Sequence, residues 1–276
     1  MTHYDVHGVS VPALGFGTYQ LRGAEARRGV EHALALGYRH LDTAQLYGNE
    51  AEVGGALAAS GVPRDEVFVT TKVWRDRLAP AALAASVDES LAQLGLDHVD
   101  LLLVHWPNDA VPLADTLGAL DHVREQGRAR LIGVSNFPPG MLRRALEIVP
   151  DLANVQVEHH VHLGQPDLLG IVRPRGMTLT AYSPLGQGQA LADETVRAIA
   201  DAHGASPAQI ALAYLLGQDR VLAIPKASSD AHRTSNLAAA EITLTDEERA
   251  RLDALPKDRR IVEPGFAPDW ADGASA

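Results

Sequence analysis

Short runs of β-branched and leucine residues recur along the chain, each followed by an alanine- and leucine-rich stretch whose apolar positions return at helical spacing. The alternation begins near residue 14 and continues to about residue 240. It predicts strands near Leu14–Gly17, His40–Asp42, Val67–Lys72, Val99–His105, Ala129–Ser135, Val155–Glu158, Thr178–Ala181 and Val221–Pro225. Helix starts are signalled by "SPAQ", with Ser206 as N-cap, Pro207 at the first helical position and Gln209 two residues later, and by "TDEE", with Thr245 and Glu248. Ahead of the first unit, "YDVHGVSVPALG" reads as a small hairpin turning at His7-Gly8, and one more helix and a tail, "EPGFAPDW", follow the last. No linker interrupts the series, so residues 1–276 read as a single domain. Eight βα units in succession predict a closed (β/α)8 barrel, with an open doubly wound sheet as the alternative because strand order is not visible in a sequence.

Such a barrel carries its chemistry at the C-terminal ends of its strands. Those ends are polar here: Asp42, Lys72, His105, Ser135 with Asn136, Gln156 inside the sixth strand, Tyr182 with Ser183, and Lys226. Four residues make a proton-transfer set. Tyr47 is a weak acid with an ordinary pKa near 10, and a Lys72 ammonium beside it favours the phenolate and makes a better proton donor near neutral pH. Asp42 holds Lys72 charged, and His105 donates a hydrogen bond to the same substrate oxygen. The set suits an oxygen on which negative charge builds, as in reduction of a carbonyl by hydride. Singly, Asp42 reads as a turn residue, Tyr47 and His105 as packing, and Lys72 as a solvated lysine; their joint placement on one face favours the chemistry.

A formal charge of -11 with 24 scattered basic residues argues against nucleic acid or an anionic membrane as principal partner, though not against a small basic pocket for a phosphate. The absence of cysteine excludes disulfides, thiolate metal sites and a cysteine nucleophile. The opening "MTHYDVHGVSVPALG" has no basic segment followed by an apolar one, and no run approaches the ~18 apolar residues of a membrane span, so a cytoplasmic protein is expected. His159, His160 and His162 invite a metal reading, but adjacent strand residues point to opposite faces, so no metal site is expected.

The segments "GYRHLDTAQLYGNEAEVG", "TKVW", "VDLLLVHWP", "IGVSNF", "QVEHH", "AYSPLG" and "IPKAS" occur in the order and roughly the spacing of the aldo-keto reductases, which the chain resembles from "VPALGFGTYQ" to its tail. "DTAQLYGNEAEVG", "SGVPRDEVFVTTKVW" and "GFAPDW" look most like the bacterial 2,5-diketogluconate reductase B and methylglyoxal reductase group. The resemblance implies a barrel that binds NADP(H) without a Rossmann domain, with Tyr47 as general acid, Lys72 and Asp42 tuning it and His105 orienting the carbonyl. It implies that Ser135, Asn136 and Gln156 bond the nicotinamide carboxamide and that Tyr182 stacks on the ring, with Gly17, Thr18 and Asp42 near that end of the cofactor. Ser183, Leu185 and Gly186 would follow the pyrophosphate, and Lys226, Ser228 and Asn236 the adenosine end. No GxGxxG follows a strand, which suits a non-Rossmann binder. "IPKASSDAHRTSNLAA" departs from the pattern: His232 and Ser235 stand where many relatives have arginine and glutamate. Lys226 keeps a cation for a 2′-phosphate, and Arg233, one place late, supplies another if the helix start shifts.

Tyr19, Trp74 and Trp106, with Tyr47 and His105, are then expected to line an apolar pocket for small aldehydes, ketoaldehydes or diketones, of the methylglyoxal or 2,5-diketogluconate kind. The short tail implies an open mouth and broad specificity, and the protein is expected to be a monomer. Two rival readings are a barrel lyase with Lys72 as Schiff-base nucleophile, and a low-turnover NADP(H)-binding regulatory module.

Overall fold

The computed structural model describes residues 2–273. A hairpin of β1 (His3–Val6) and β2 (Val9–Pro12) opens the chain, and His7 and Gly8 both take positive φ, 51° and 79°, the two-residue turn whose twist matches that of the strands. The repeated units follow as β3 (Phe16–Gly17), α1 (Gly23–Leu36), β4 (His40–Asp42), α2 (Glu50–Ala59), β5 (Phe68–Val73), α3 (Pro80–Leu94), β6 (Val99–Val104), α4 (Leu113–Glu125), β7 (Ala129–Ser135) and α5 (Pro139–Ile148). The second half comprises β8 (Asn154–Glu158), α6 (Pro166–Val172), β9 (Thr178–Tyr182), α7 (Glu194–His203), α8 (Pro207–Leu216), β10 (Val221–Ala223), α9 (Asp230–Ala238) and α10 (Asp246–Asp253). The unit after β9 carries two helices, α7 in addition to the one that Ser206 signals. Among the described residues, no helix is long and apolar enough to cross a membrane.

Strands β3 to β10 pair in parallel and in chain order, without the reversal that a doubly wound sheet requires. The ring closes where Leu14 bridges Ala223: the Gly15 N–H donates to the Ala223 carbonyl, the Ala223 N–H to that of Ala13, and the Gly17 N–H to that of Pro225. A β-carbon at Gly17 would lie 2.6 Å from the Ile224 carbonyl oxygen, so the closing seam requires glycine there. The architecture is the (β/α)8 barrel that the alternation predicts, with its N-terminal hairpin.

Alternation along each strand sorts residues between two cores. In β6, Leu102 and Val104 pack outward against the helices, whereas Leu101 and Leu103 face the interior with Phe68, Leu131 and Leu222. Val6, Val9 and Val11 of the hairpin join that inner cluster and plug the N-terminal end of the barrel. Above the plug the interior turns polar: His40 Nε2 lies 3.2 Å from Thr70 Oγ1, and Asn154 Nδ2 donates to Thr178 and Thr180 at 2.9 and 2.8 Å. The next inward positions, Asp42, Lys72 and Gln156, form the floor of the C-terminal mouth.

Both signalled capping boxes form, at Ser206 with Gln209 and at Thr245 with Glu248. Replacing Ser206 by alanine leaves the Gln209 N–H without its side-chain acceptor and is expected to lower stability by about 1 kcal/mol, measured as a shift in the urea unfolding midpoint.

Candidate active site

Parallel pairing of β4 with β5 places Asp42 beside Thr70, and Lys72, two residues on, points the same way into the barrel. Its side chain is 0% exposed. Nζ donates to Asp42 Oδ1 at 2.6 Å, to the Thr43 carbonyl at 2.8 Å and to the Tyr47 hydroxyl at 3.3 Å. Three acceptors match the three donors of an ammonium and leave no lone pair for a nucleophile. The other carboxylate oxygen of Asp42 accepts from Gln156 Nε2 at 2.8 Å, and the Asp42 carbonyl accepts both the N–H and the hydroxyl of Thr18 at 3.0 and 3.1 Å.

Tyr47 reaches this cluster from a short 3₁₀ turn, Gln45–Tyr47, that Gly48 ends at φ 59°. Asn49 locks the turn: its amide donates to the Thr18 and Leu21 carbonyls, both at 3.0 Å, and its oxygen accepts from Thr43 Oγ1 at 2.7 Å. The His105 ring lies edge-on to Tyr47 at 5.7 Å and to Trp74 at 5.2 Å, and His105 Nδ1 has no partner among the described residues.

Burial dominates the electrostatics of the cluster. It raises the Tyr47 pKa well above the ordinary phenol value, with the Asp42 charge and Tyr19 adding to the effect. This corrects the sequence-based expectation of a tyrosine drawn toward neutral pH by Lys72, because the loss of hydration outweighs the neighbouring cation. Burial also lowers the Lys72 pKa against the opposing pull of Asp42, and holds His105 well below the ordinary imidazole value, with Lys72 reinforcing it. The histidine is neutral at pH 7, and Tyr47 keeps its proton.

Beside this cluster, Asn136 takes φ 62° and donates to the His105 carbonyl at 2.9 Å and to Ser135 Oγ at 3.1 Å, while Tyr182 donates to Asn136 Oδ1 at 2.7 Å. Ser183 and Gly186 both take positive φ, 46° and 54°, where the chain turns after β9, and Leu185 stands between them. Lys226 and Ser228 are exposed before α9, with Nζ 3.4 Å from Ser228 Oγ, and Asn236 is buried on that helix. Arg233 does not join them at the surface. It is 3% exposed, donates to the Ala227 carbonyl at 2.8 Å and to His32 Nδ1 at 3.1 Å, pairs with Asp230, and lies over the Phe16 ring. The helix start therefore turns this arginine inward, and Lys226 is the exposed cation of the pair.

On the open side, Tyr19 lies 5.1 Å from the Tyr47 ring, and Trp74 and Trp106 flank the mouth. Two further aromatic residues, not anticipated from the sequence, come from the tail. Phe266 stands 5.9 Å from Trp74 and 5.5 Å from Trp106, and Trp270 stands 6.1 Å from Trp106. The signal was two aromatics in a proline- and glycine-rich tail, which fix no position by themselves. Buried Glu158 anchors the tail, accepting the Ile261 and Val262 N–H groups at 2.9–3.1 Å, and Asp272 anchors its far end on Arg144 at 2.8 Å. The short tail thus covers one side of the mouth rather than leaving it open. The three histidines after β8 have separate partners: His159 meets the Leu163 carbonyl and Gln218, His160 meets Glu158, and His162 meets Asp193.

The profile of the Aldo/keto reductase family matches residues 13–257. A methylglyoxal reductase, DkgB, of Escherichia coli O157:H7 is 39% identical over 267 residues, covering 95% of this chain and all of that one. An aldo-keto reductase of Mycolicibacterium smegmatis is 39% identical over 261 residues, covering 92% of this chain and 93% of its own. A crystal structure provisionally named as a 2,5-diketo-D-gluconic acid reductase B superposes with a TM-score of 0.93 at 44% identity, covering 98% of both chains. The aldose reductase of Schistosoma japonicum superposes with a TM-score of 0.87 at 31% identity, covering 92% of this chain and 91% of that one. The chain belongs to the aldo/keto reductase family and is an enzyme of that class.

Proposed function

We propose that this single-domain barrel is an NADPH-dependent reductase of small aldehydes, ketoaldehydes or diketones, with Tyr47 as general acid. The observation that carries the reading is the saturated Lys72 ammonium: it spends its three donors on Asp42, Thr43 and the Tyr47 oxygen, so the phenolic proton is the one directed to an incoming oxygen. The Schiff-base reading is disfavoured by the same contacts, since a 0% exposed lysine with all its donors engaged cannot meet a carbonyl carbon.

Members of this family generally use nicotinamide cofactors, and the donor set here suits one. Ser135, Asn136 and Gln156 present hydroxyl and amide groups at neighbouring strand ends for a carboxamide, and the half-buried Tyr182 offers a ring face. The exposed Lys226, with Ser228 and the first turn of α9, suits a 2′-phosphate. When bound, the reduced nicotinamide supplies the hydride that adds to the carbonyl carbon. The chain's own residues manage the oxygen: neutral His105 orients it, Tyr47 gives it a proton as charge develops, and Lys72, held by Asp42, stabilises the tyrosinate left behind. The relatives named for methylglyoxal and 2,5-diketo-D-gluconic acid supply the first substrates to try. Purified protein with NADPH and methylglyoxal should consume cofactor absorbance; no turnover of methylglyoxal or of a panel of diketones would reject the reading.

Cofactor choice yields a separate expectation. Replacing Lys226 by alanine should weaken NADPH more than NADH by about 1–3 kcal/mol, the scale of a charge-assisted hydrogen bond. Titrating each cofactor against the variant decides it, and an equal loss for both would remove Lys226 from the 2′-phosphate.

A further inference from the structure

Glu50 opens α2 three residues after Tyr47 and is 1% exposed. Its carboxylate lies outside the barrel wall, between β5 and the helices, in a layer otherwise filled by apolar side chains such as Val53, Leu83, Val87 and Leu91. Oε1 accepts from Thr71 Oγ1 at 2.5 Å, and the Ser90 hydroxyl of α3 is a second donor. A hydroxyl this close is characteristic of a bond to an ionised acceptor. Neither partner is a cation, and Lys72, the residue after Thr71, makes its ion pair with Asp42. A buried carboxylate held by hydroxyls alone is costly, and glutamine has the same shape without the charge, so the charge itself calls for a reason.

The surroundings point to the catalytic cluster. Ser86, one helical turn before Ser90 and also buried, donates to Gln45 Oε1 at 2.7 Å, and Gln45 Nε2 donates to the Ser86 carbonyl at 2.9 Å. Two serines of α3 thus grip the chain on either side of Tyr47. Alternation along β5 turns Thr71 outward where Lys72 points inward, so Glu50 faces the back of the strand position that carries the lysine. The groups around Lys72 are Asp42 and His40 of β4, the Tyr47 hydroxyl, His105 at the end of β6, and Glu50 of α2. Burial lowers the pKa of both histidines, and Tyr47 keeps its proton, so Asp42 and Glu50 are the anions of this set.

We propose that Glu50 is a positioning residue of the catalytic cluster, a second carboxylate behind β5 whose field keeps Lys72 an ammonium. The inference rests on the carbonyl-reductase reading above. Burial works against the ammonium that the departing phenolic proton requires, and a further anion offsets it. An acid in direct contact would take one of the three Lys72 donors, including the one now given to Tyr47. An acid behind the strand acts through charge alone and leaves those contacts intact.

The test follows kcat for methylglyoxal at saturating NADPH from neutral to alkaline pH in the wild type, Glu50→Gln, Glu50→Asp, Lys72→Arg and the double variant Glu50→Gln/Lys72→Arg. An anion favours the charged lysine, so its loss makes the ammonium easier to deprotonate. Glu50→Gln should therefore move the alkaline fall to lower pH by about 0.5 unit or more, with kcat near neutrality changed by no more than about threefold. Glu50→Asp, which keeps the charge, should move it less. In the Lys72→Arg background the same glutamine should bring no fall, because arginine does not titrate there. An unmoved fall in Glu50→Gln overturns the proposal, as do equal shifts in the Asp and Gln variants, which would mark shape rather than charge. A Glu50→Gln chain that does not fold overturns it too, by making the acid a requirement of folding. Failure of the carbonyl-reductase reading would look different, since the wild type would then not turn over methylglyoxal at any pH.

Discussion

A Tyr47→Phe enzyme is expected to keep its affinity for NADPH and to lose roughly 10²–10⁴ of kcat for aldehyde reduction, the usual contribution of a positioned general acid. The substitution removes one oxygen and one proton. The ring contacts to Tyr19 and His105 remain, and Lys72 keeps Asp42 and the Thr43 carbonyl as partners, so the cluster should not collapse. The loss should fall on kcat rather than on cofactor binding, because the missing interaction acts only as charge develops on the substrate oxygen. Single-turnover reduction followed by cofactor absorbance, with cofactor affinity from quenching of tryptophan fluorescence, separates the two. Near wild-type turnover in Tyr47→Phe would show that another group donates the proton.

Replacing Lys72 by methionine should cost about 10²–10³ in kcat, the scale of removing one preorganised stabilising donor, and should leave Asp42 buried without its counter-charge. The pH dependence carries the sharper test. Lys72 has its pKa lowered from the ordinary lysine value, whereas that of Tyr47 is raised well above the phenol value. As pH rises, the lysine is therefore the first of the two to lose its proton, and wild-type kcat should fall in the alkaline range as the ammonium is neutralised. Lys72→Arg keeps a cation that does not titrate there, so the alkaline fall should disappear while more activity survives than in Lys72→Met. The methionine variant should be slow and should lack the fall that belongs to the ammonium, because that group is gone while Tyr19 stays beside Tyr47 as in the wild type. An alkaline fall at the same pH in the arginine variant would assign the titration to Tyr47 instead.

The barrel was legible in the chain because its strands alternate inward and outward with period two and its helices carry apolar positions at helical spacing, both local properties. The same reading placed Asp42, Lys72 and Gln156 on strands at one end of the repeat, and the structure brings these three side chains into contact. Capping at Ser206 and Thr245 was equally local. The helix α7 was not singled out, since its N-cap Asp193, which accepts from the Thr195 and Val196 N–H groups, follows a glycine-rich segment with little apolar pattern.

What the sequence by itself determined was which side chains stand at the strand ends, because the alternation of strands and helices is a local pattern; that the strands pair in chain order, which brings those ends to one mouth, was decided by the tertiary structure. The tertiary structure alone also decided the state of those side chains and the course of the segments outside the repeat. Lys72 beside Tyr47 suggests a depressed phenol pKa, yet the direction depends on how completely the barrel and the 3₁₀ turn exclude water, and there burial prevails. Arg233 reads in the sequence as a second cation for a 2′-phosphate if the helix start shifts, and in the fold it is turned inward, because the hydrogen-bond geometry at the start of α9 aims it at Ala227 and Phe16. The tail has no period to read. Its path across the mouth is set by a buried carboxylate, Glu158, more than one hundred residues before the N–H groups it accepts. Local patterns place residues on elements, but desolvation and long-range hydrogen bonds exist only once the elements are packed.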